Sequence, residues 1–534
     1  MPQPPNEPPR AGGSGRRDRL ARRGAAAPAA AAPAASPPAP AASRPALGPD
    51  FTPPALRPGF AYLDDTRVAT MRARAVALLD RHGVAVNHPQ AVERLRAAGC
   101  RVDAGDKRVR IPAELTTEAV AAAPRSITLC GKDPRHDLRL PRADGTFWMR
   151  TGTGAHGFIE PHTSAYRKLV LDDVRTIATL ADTLSEVGFI AHPFVNGVPE
   201  VTADVHGLGT LLAYSTKHNW IQPYGTENIA YLLRLAALTA GGEAALRARP
   251  IVSCIVCSFT PLEFKTMDVE ALIQCARLGV PIHACSLPTA GGTAPVTMPG
   301  TVLMAVAEIL AMVVLAHVLG PGTPVIATPL IFCLDMRSGR SLQSSVEALA
   351  GASMAVQVMK RGFGLPTHTY GAGSDTPDID GQSQAERALI AFLVGLAGAD
   401  VLGGVGQLEC ATVFSPVQAV IDNELGAMAR NYLRTAAIDD ESLAWDDLLK
   451  LDPGGNFLAT EHTLRHCRTG FAPAAFTRQA RDAYEAAGRR DLAAQARDML
   501  DGILRAHPAR PVVDAATEAE MRRVIAGADA KIAG

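Results

Sequence analysis

The chain has 534 residues, of which 47% are hydrophobic, so it can bury an extensive core, and its 53 basic residues balance its 53 acidic ones. A net charge of zero gives no field that attracts polyanions, which excludes a typical nucleic-acid-binding protein. The nine cysteines lie singly in a chain too large to need disulfides. This usage predicts reduced thiols and a cytoplasmic location.

Residues 1–55 are mostly Pro, Ala, Arg and Gly, which bury too little apolar surface to offset the entropy of ordering. We predict a disordered leader there, and its frequent prolines exclude a signal peptide. The most apolar stretch, residues 301–319, contains Glu308 and stops at Gly320. That pattern predicts a buried helix, so we expect no membrane partner.

From about Leu63, apolar residues recur at helical spacing up to Gly83. Two more helices are predicted at 88–98 and 112–123, with short extended stretches at 109–111 and 126–138. Together they predict a small mixed helical cap over residues 56–145.

From residue 146, short β-branched or apolar runs alternate with long amphipathic segments, as in repeated βα units. Eight such runs predict strands at 147–152, 187–193, 219–224, 251–258, 281–286, 324–329, 366–370 and 400–404. Helices are predicted between them at 172–184, 205–214, 229–239, 261–278, 300–319, 341–360 and 382–397. We therefore predict the α/β class, with a (β/α)8 TIM-type barrel over 146–440 and a helical region over 441–534. A doubly wound open sheet is the alternative, but no glycine-rich phosphate fingerprint follows the first strand.

Four phrases lie at or after the predicted strands. They are Arg150-Thr-Gly-Thr-Gly-Ala-His156, Gly291-Gly-Thr-Ala-Pro-Val-Thr297 before the helix of Glu308, Gly371-Ala-Gly-Ser-Asp375, and Ile421-Asp-Asn-Glu424. In this order and spacing, the chain resembles the trimethylamine and betaine corrinoid methyltransferases. The resemblance implies transfer of a methyl group from a methylated amine to the cobalt of a separate corrinoid protein. It also implies a cobalamin-type corrinoid on that partner and no tightly bound cofactor on this chain.

Founding members of that family carry pyrrolysine near the segment equivalent to residues 374–378. Here that segment contains only standard residues. The difference favours a quaternary amine such as glycine betaine, proline betaine or carnitine over trimethylamine.

A cation without N–H groups is held by aromatic faces and carboxylates, and a betaine carboxylate needs hydrogen-bond donors. At the end of the third strand, alternation puts Trp220, Gln222 and Tyr224 on one face and Asn219 on the other. We predict that these four residues bind substrate, although Trp220 and Tyr224 can equally serve as core filler and loop anchor.

The other candidate residues follow the first, seventh and eighth strands. We predict that His368 donates to a substrate carboxylate and that Glu409 balances its cation, with Asp375 as a third catalytic candidate or a helix cap. Substrate contacts are also expected from His156 and Tyr370. Contacts with the corrinoid are expected from residues whose turns permit close approach: Gly371, Gly373 and Ser374.

Two other functions remain open at this point. His283 and Cys285 form an H-x-C pair that, with another cysteine, is a candidate zinc site for methyl transfer to a thiol. Alternatively, the same barrel is a non-catalytic binding protein for quaternary ammonium compounds. In every case we expect a homo-oligomer.

Overall fold

A computed structural model of the chain describes residues 60–103, 108–434 and 437–534. The predicted disordered leader lies outside these residues. The centre of the fold is a sheet of eight parallel strands: β1 (Trp148–Thr151), β2 (Val187–Ala191), β3 (His218–Ile221), β4 (Val252–Cys257), β5 (Ile282–Ser286), β6 (Val325–Pro329), β7 (His368–Tyr370) and β8 (Val401–Val405).

The strands are ordered β6-β5-β4-β3-β2-β1-β8-β7. A parallel bridge between Ala327 and Thr367 joins β6 to β7 and closes the ring. The predicted (β/α)8 barrel is confirmed, and each of the eight predicted strand segments overlaps a barrel strand. A barrel of this type places its functional residues at the carboxyl ends of the strands.

A long helix follows each strand, and β3 is followed by a second, short helix at Glu243–Ala248. The long helices are α1 (Leu171–Thr183), α2 (Ala203–Tyr214), α3 (Asn228–Ala240), α4 (Thr266–Arg277), α5 (Met298–Leu319), α6 (Val346–Gln357), α7 (Gly381–Ala397) and α8 (Pro416–Leu433). Helix α5 has a mean hydropathy of 2.5 and is long enough to cross a membrane, but 78% of its apolar window is buried within the protein. It is the core helix that the sequence predicted.

Two barrel helices begin later than predicted, and one barrel helix was not predicted. Helix α4 begins at Thr266 because the preceding Glu263–Phe264 pairs with the N-terminal strand Val84–Val86. Helix α6 begins after Ser345, whose side chain caps it, because Ser341–Leu342 forms a strand. Helix α8 was not predicted, although a Ser-Pro start at residues 415–416 is a helix-start signal.

The N-terminal region has helices at Asp65–Arg81, Pro89–Ala97 and Ala113–Ala122 and short strands at Val84–Val86, Arg101–Val102 and Arg108–Arg110. A hairpin of Ile127–Leu129 and Leu138–Leu140 follows. Its apolar side chains belong to the same core cluster as the side chains inside the barrel. The hairpin therefore contributes to the core at the amino-terminal end of the strands.

Loops at the carboxyl ends form two small sheets. One contains Gly157–Ile159, Tyr166–Lys168, Gln407–Leu408 and Val413–Phe414, and the other contains Thr289–Ala290, Phe332–Leu334 and Ser341–Leu342. After α8 come the helices Trp445–Lys450, Glu461–His466, Arg481–Ala486, Leu492–Ala506 and Ala515–Ala528. Leu492–Ala506 packs on α8, and Ala515–Ala528 packs on α2 and α3.

Candidate functional site

Five large side chains from five strands meet inside the barrel: Arg150, Phe189, Trp220, His283 and His368. Nε of Arg150 donates to Nε2 of His368 over 2.8 Å. The guanidinium carbon lies 4.0 Å from the centre of the Trp220 ring. The ring of His283 stacks on that of Trp220 at 4.8 Å. The interior of the barrel is therefore a contiguous aromatic and cationic cluster.

Strand pleating brings Arg150 into this cluster. Alternate side chains of a strand point to opposite faces, so Met149 packs in the outer core while Arg150 faces inward. The neighbouring strand contributes Gly403, where a Cβ atom would lie only 2.7 Å from the guanidinium carbon of Arg150. Glycine at this position is what makes room for the arginine.

The electrostatics of the cluster follow from its burial. Burial lowers the pKa of Arg150 to about 10, so the guanidinium still carries its charge at neutral pH. Burial, and then the nearby charge of Arg150, lower the pKa of His368 well below its usual value. Burial is also the main cause of the low pKa of His283. Both imidazoles are neutral, and neither is a general acid at neutral pH.

Both ring nitrogens of His368 already have partners, because Nδ1 lies 3.3 Å from Nδ1 of His283. The predicted role of His368 as donor to a substrate carboxylate therefore lacks a free N–H group. The ring of Trp220, predicted to contact a substrate cation, is already in contact with the guanidinium of Arg150. Tyr370 lies one step nearer the strand ends, buried with its ring edge-on to Phe332.

Closer to the mouth of the barrel, polar and aromatic groups from β1, β2 and β3 combine. The hydroxyl of Thr153 donates to Oε1 of Gln222 over 2.9 Å. Tyr224 packs against Phe194, with ring centres 5.0 Å apart. The Tyr224 hydroxyl is buried without a hydrogen-bond partner, and burial raises its pKa well above the usual range. A buried hydroxyl of this kind is an open hydrogen-bonding position.

Two glutamines also have buried side-chain polar atoms without hydrogen-bond partners. Both side-chain polar atoms of Gln343 and Oε1 of Gln407 are buried without partners. Sequence reasoning missed both residues, as it missed Arg150. Gln343 occupies the space that a Cβ of Gly373 would need, at 2.4 Å from its Nε2.

The loop after β7, residues 371–375, is buried, and the side chains of Ser374 and Asp375 form hydrogen bonds. Asp375 accepts hydrogen bonds from the backbone N–H groups of Gln343 and Ser344, at 3.1 and 2.8 Å. Burial raises the pKa of this carboxyl. Ser374 donates to Glu386 over 2.6 Å, and a Cβ at Gly371 would lie 2.5 Å from Leu402. These residues join the loops at the strand ends, and their contacts with a substrate or corrinoid stay predictions.

Glu409 lies in an unusual turn. Glu409, Cys410 and Ala411 all have positive φ angles of 49°, 51° and 75°, which cost about 1–3 kcal/mol each for residues other than glycine. Backbone bonds from Glu409 to Thr376 and from Cys410 to Ser374, each 3.0 Å, hold the turn against the loop after β7. The side chain of Glu409 is thus half-buried on a fixed loop at the strand ends.

Two predicted residues lie away from this cluster. Asn219 points to the outside of the barrel, where Nζ of Lys132 donates to it over 3.3 Å. His156 is exposed, and its backbone N–H donates to Thr412 in the loop sheet over 2.9 Å. The structure therefore brings Trp220, Gln222, Tyr224, His368 and Tyr370 to one end of the barrel and leaves these two outside it.

Glu308 holds the ends of β4 and β5. Its buried carboxylate accepts four hydrogen bonds, from the Ser258, Thr260 and Ser286 hydroxyls and from the Leu262 N–H, at 2.5 to 2.8 Å. Glu308 lies on helix α5, so this helix fixes the loops that follow β4 and β5. A charge inside an apolar sequence run is a signal for this kind of buried role.

The two candidate zinc ligands, His283 and Cys285, are both buried. The second nitrogen of His283, Nε2, lies 3.0 Å from the Ser253 hydroxyl, so both ring nitrogens are engaged. Cys285 is completely buried, and burial raises the pKa of its thiol well above the usual value. Within the described residues, three possible ligand atoms converge only at the surface, in Glu441, His462 and His466.

The fold is a (β/α)8 barrel, and its candidate groups lie inside the barrel and in the loops at the carboxyl ends of the strands. The family model for trimethylamine methyltransferase matches residues 42–533. The chain belongs to the trimethylamine methyltransferase family, as the sequence resemblance predicted, and is therefore a member of a family of methyltransferases.

Individual relatives cover most of the chain. Trimethylamine methyltransferase of Desulfitobacterium hafniense is 30% identical over 455 residues, which are 85% of this chain and 91% of that protein. That of Methanosarcina acetivorans is 31% identical over 458 residues, 85% and 92% of the two chains. Glycine betaine methyltransferase of Desulfitobacterium hafniense is 28% identical over 435 residues, 80% and 89%. The solved monomethylamine methyltransferase of Methanosarcina barkeri aligns with a TM-score of 0.47 and 15% identity over 84% and 94%.

Proposed function

We propose that this protein moves a methyl group from a betaine-like quaternary or tertiary amine to the cobalt of a separate corrinoid protein. Family membership supports the methylated amine as the substrate, since the relatives include methyltransferases named for trimethylamine and for glycine betaine. The segment 374–378 has only standard residues, which favours the betaine type. We expect the protein to act in the cytoplasm, where its nine free cysteines stay reduced.

The reaction is a displacement at the methyl carbon. For a quaternary ammonium, or a tertiary amine already protonated on nitrogen, the reduced cobalt of the acceptor corrinoid would donate an electron pair to the methyl carbon, the C–N bond would break with its electron pair staying on nitrogen, and a neutral amine would leave. No proton moves in this step. The protein must orient the N-methyl group and exclude water, which is catalysis by proximity.

The observation that best supports this chemistry is the barrel interior itself. His368 and His283 are neutral and have both nitrogens engaged, so they are fixed supports and not proton carriers. Near the mouth, Tyr224 and Phe194 present aromatic rings, and Glu409 is a carboxylate at the strand ends. Rings and a carboxylate are the groups that hold a methylated ammonium.

Methylation of the corrinoid tests the proposal directly. The full-length protein is mixed without oxygen with reduced cobalamin and, in turn, glycine betaine, proline betaine, carnitine and trimethylamine, and the visible spectrum is followed for methylcobalamin. We expect methylcobalamin from at least one betaine and none when the protein is omitted.

The same assay with a corrinoid protein in place of free cobalamin addresses the partner. If no compound methylates either acceptor although calorimetry shows tight binding of a betaine, the non-catalytic binding protein is the correct alternative. Glu409→Gln should weaken binding of every cationic substrate, and unchanged affinity would remove its charge-balancing role.

A further inference from the structure

Arg150 is a buried cation without an anionic partner. The structure describes three buried arginines. Arg387 pairs with Asp422 at 2.8 Å, and Arg430 pairs with Glu186. Arg150 is fully buried, but its partners are a neutral imidazole and a backbone carbonyl, and its Nη2 atom has none. Burying a charge without a counter-charge destabilises the folded protein.

A chain of hydrogen bonds runs from Arg150 towards the amino-terminal end of the barrel. His368 lies 2.8 Å from Arg150 and 3.3 Å from His283, and His283 lies 3.0 Å from the Ser253 hydroxyl. That hydroxyl is 2.9 Å from His218, whose Nδ1 is 2.9 Å from the carbonyl oxygen of residue 130. Each histidine ring therefore uses both of its nitrogens.

The two ends of this chain fix the direction of every bond. A guanidinium only donates, so Nε2 of His368 accepts and its Nδ1–H donates to His283. A carbonyl only accepts, so Nδ1–H of His218 donates and its Nε2 accepts from Ser253. Both assignments agree that Nε2–H of His283 donates to the serine oxygen. All three histidines are neutral, and none supplies a negative charge to offset Arg150.

One nitrogen of the guanidinium, Nη2, has no hydrogen-bond partner. The Trp220 ring lies at 4.0 Å, and Gly403 lies so close that a Cβ there would be 2.8 Å from Nη2. Nη1 donates to the Thr151 carbonyl over 2.7 Å. Tyr370 follows His368 by two residues on β7, and Cys285 follows His283 by two residues on β5, so both lie nearer the strand ends. Both are close enough to influence the pKa of Arg150. The guanidinium thus lies directly beneath the strand-end groups of the barrel.

We propose that Arg150 binds the carboxylate of a zwitterionic quaternary amine at the base of the site, so that the methylated nitrogen points towards the carboxyl ends of the strands. This inference rests on the proposed function. A carboxylate supplies the charge that Arg150 lacks and accepts from its free N–H groups. The guanidinium repels the ammonium end, which then lies towards Tyr224 and Glu409. Trimethylamine, which has no carboxylate, leaves the charge of Arg150 without a partner.

Calorimetric binding to the full-length protein tests the assignment. Glycine betaine should bind the wild-type protein about 100-fold more tightly than choline, which keeps the ammonium but lacks the carboxylate. Arg150→Gln should lose about 100-fold in affinity for glycine betaine and leave that for choline unchanged. Arg150→Lys, which keeps the charge, should bind glycine betaine more tightly than Arg150→Gln does. Equal affinities of the wild-type protein for betaine and choline, or an unchanged betaine affinity in Arg150→Gln, would overturn the proposal.

A probe of the wild-type protein keeps the test decisive if the variants do not fold. The anion tert-butylacetate has the shape of glycine betaine with carbon in place of nitrogen. It should compete with glycine betaine more strongly than tetramethylammonium does, because only the anion reaches the charge of Arg150. Competition by tetramethylammonium alone would contradict the role of Arg150.

The methylcobalamin assay separates the two proposals. Methyl transfer from glycine betaine that does not depend on Arg150 would reject the carboxylate site and keep the methyltransferase function. Betaine binding that depends on Arg150, without methyl transfer to any corrinoid, would reject the function and keep the site.

Discussion

Arg150→Gln and Arg387→Gln should differ in their effect on stability when no ligand is bound: the first should be nearly neutral and the second strongly destabilising. Arg387→Gln leaves the buried carboxylate of Asp422 without its cation, which typically costs about 3–5 kcal/mol. Arg150→Gln leaves no anion behind. The lowering of the pKa of Arg150 from 12.5 to about 10 corresponds to a burial cost of about 3 kcal/mol, which the substitution removes.

The gain is offset by the hydrogen bonds that Arg150 makes to His368 and to the Thr151 carbonyl, of about 1–2 kcal/mol each. The net change for Arg150→Gln is therefore expected within about 1 kcal/mol of zero. Urea unfolding of the two variants and the wild-type protein, followed by circular dichroism, measures both changes. Saturating glycine betaine should then stabilise the wild-type protein but not Arg150→Gln. If Arg150→Gln without ligand loses as much stability as Arg387→Gln, the guanidinium has a counter-charge and the reasoning is wrong.

Three further substitutions test other buried groups, each by urea unfolding. Glu308→Gln should cost about 2–3 kcal/mol, because an amide cannot accept all four hydrogen bonds of the carboxylate, and a neutral result would contradict its bracing role. Lys217→Met should cost about 3 kcal/mol, since Nζ donates to three buried carbonyls at 2.6 to 2.8 Å; a loss below about 1 kcal/mol would show that water replaces it. Burial raises the pKa of Asp268 from 3.8 to about 6, so the folded state holds a proton that the unfolded chain releases, and stability falls as pH rises through this window. The free energy of unfolding of Asp268→Asn should equal that of the wild type below this pH window and exceed it by up to about 3 kcal/mol above the window. Parallel pH profiles of the two proteins would refute this prediction.

The barrel was accessible from sequence because its signals are local. Each strand is a short apolar or β-branched run, and each helix is a longer amphipathic segment, so alternation alone predicts eight units. The errors arose where tertiary contacts overrode the local pattern. Residues 263–264 look like the start of a helix, but they pair with a strand more than 170 positions earlier.

The candidate site was predictable only in part. Period-two alternation predicted opposite faces for Trp220 and Asn219, and the structure has Trp220 inside the barrel and Asn219 outside it, whereas Gln222 and Tyr224 lie beyond the end of β3. The alternation did not reveal that Trp220 already stacks on Arg150. The partner of an inward side chain comes from strands far away in the sequence, and no local pattern encodes that distance.

The sequence by itself determined the family, the barrel class and the number of barrel strands, because these depend on motif order and on the periodicity of apolar residues. Only the tertiary structure decided which charges are paired. Arg150 and Arg387 are both arginines within apolar segments, yet one meets a carboxylate and the other meets neutral histidines. The energy of a buried charge depends on the groups within a few ångströms of it, and those groups are brought together only when the barrel closes.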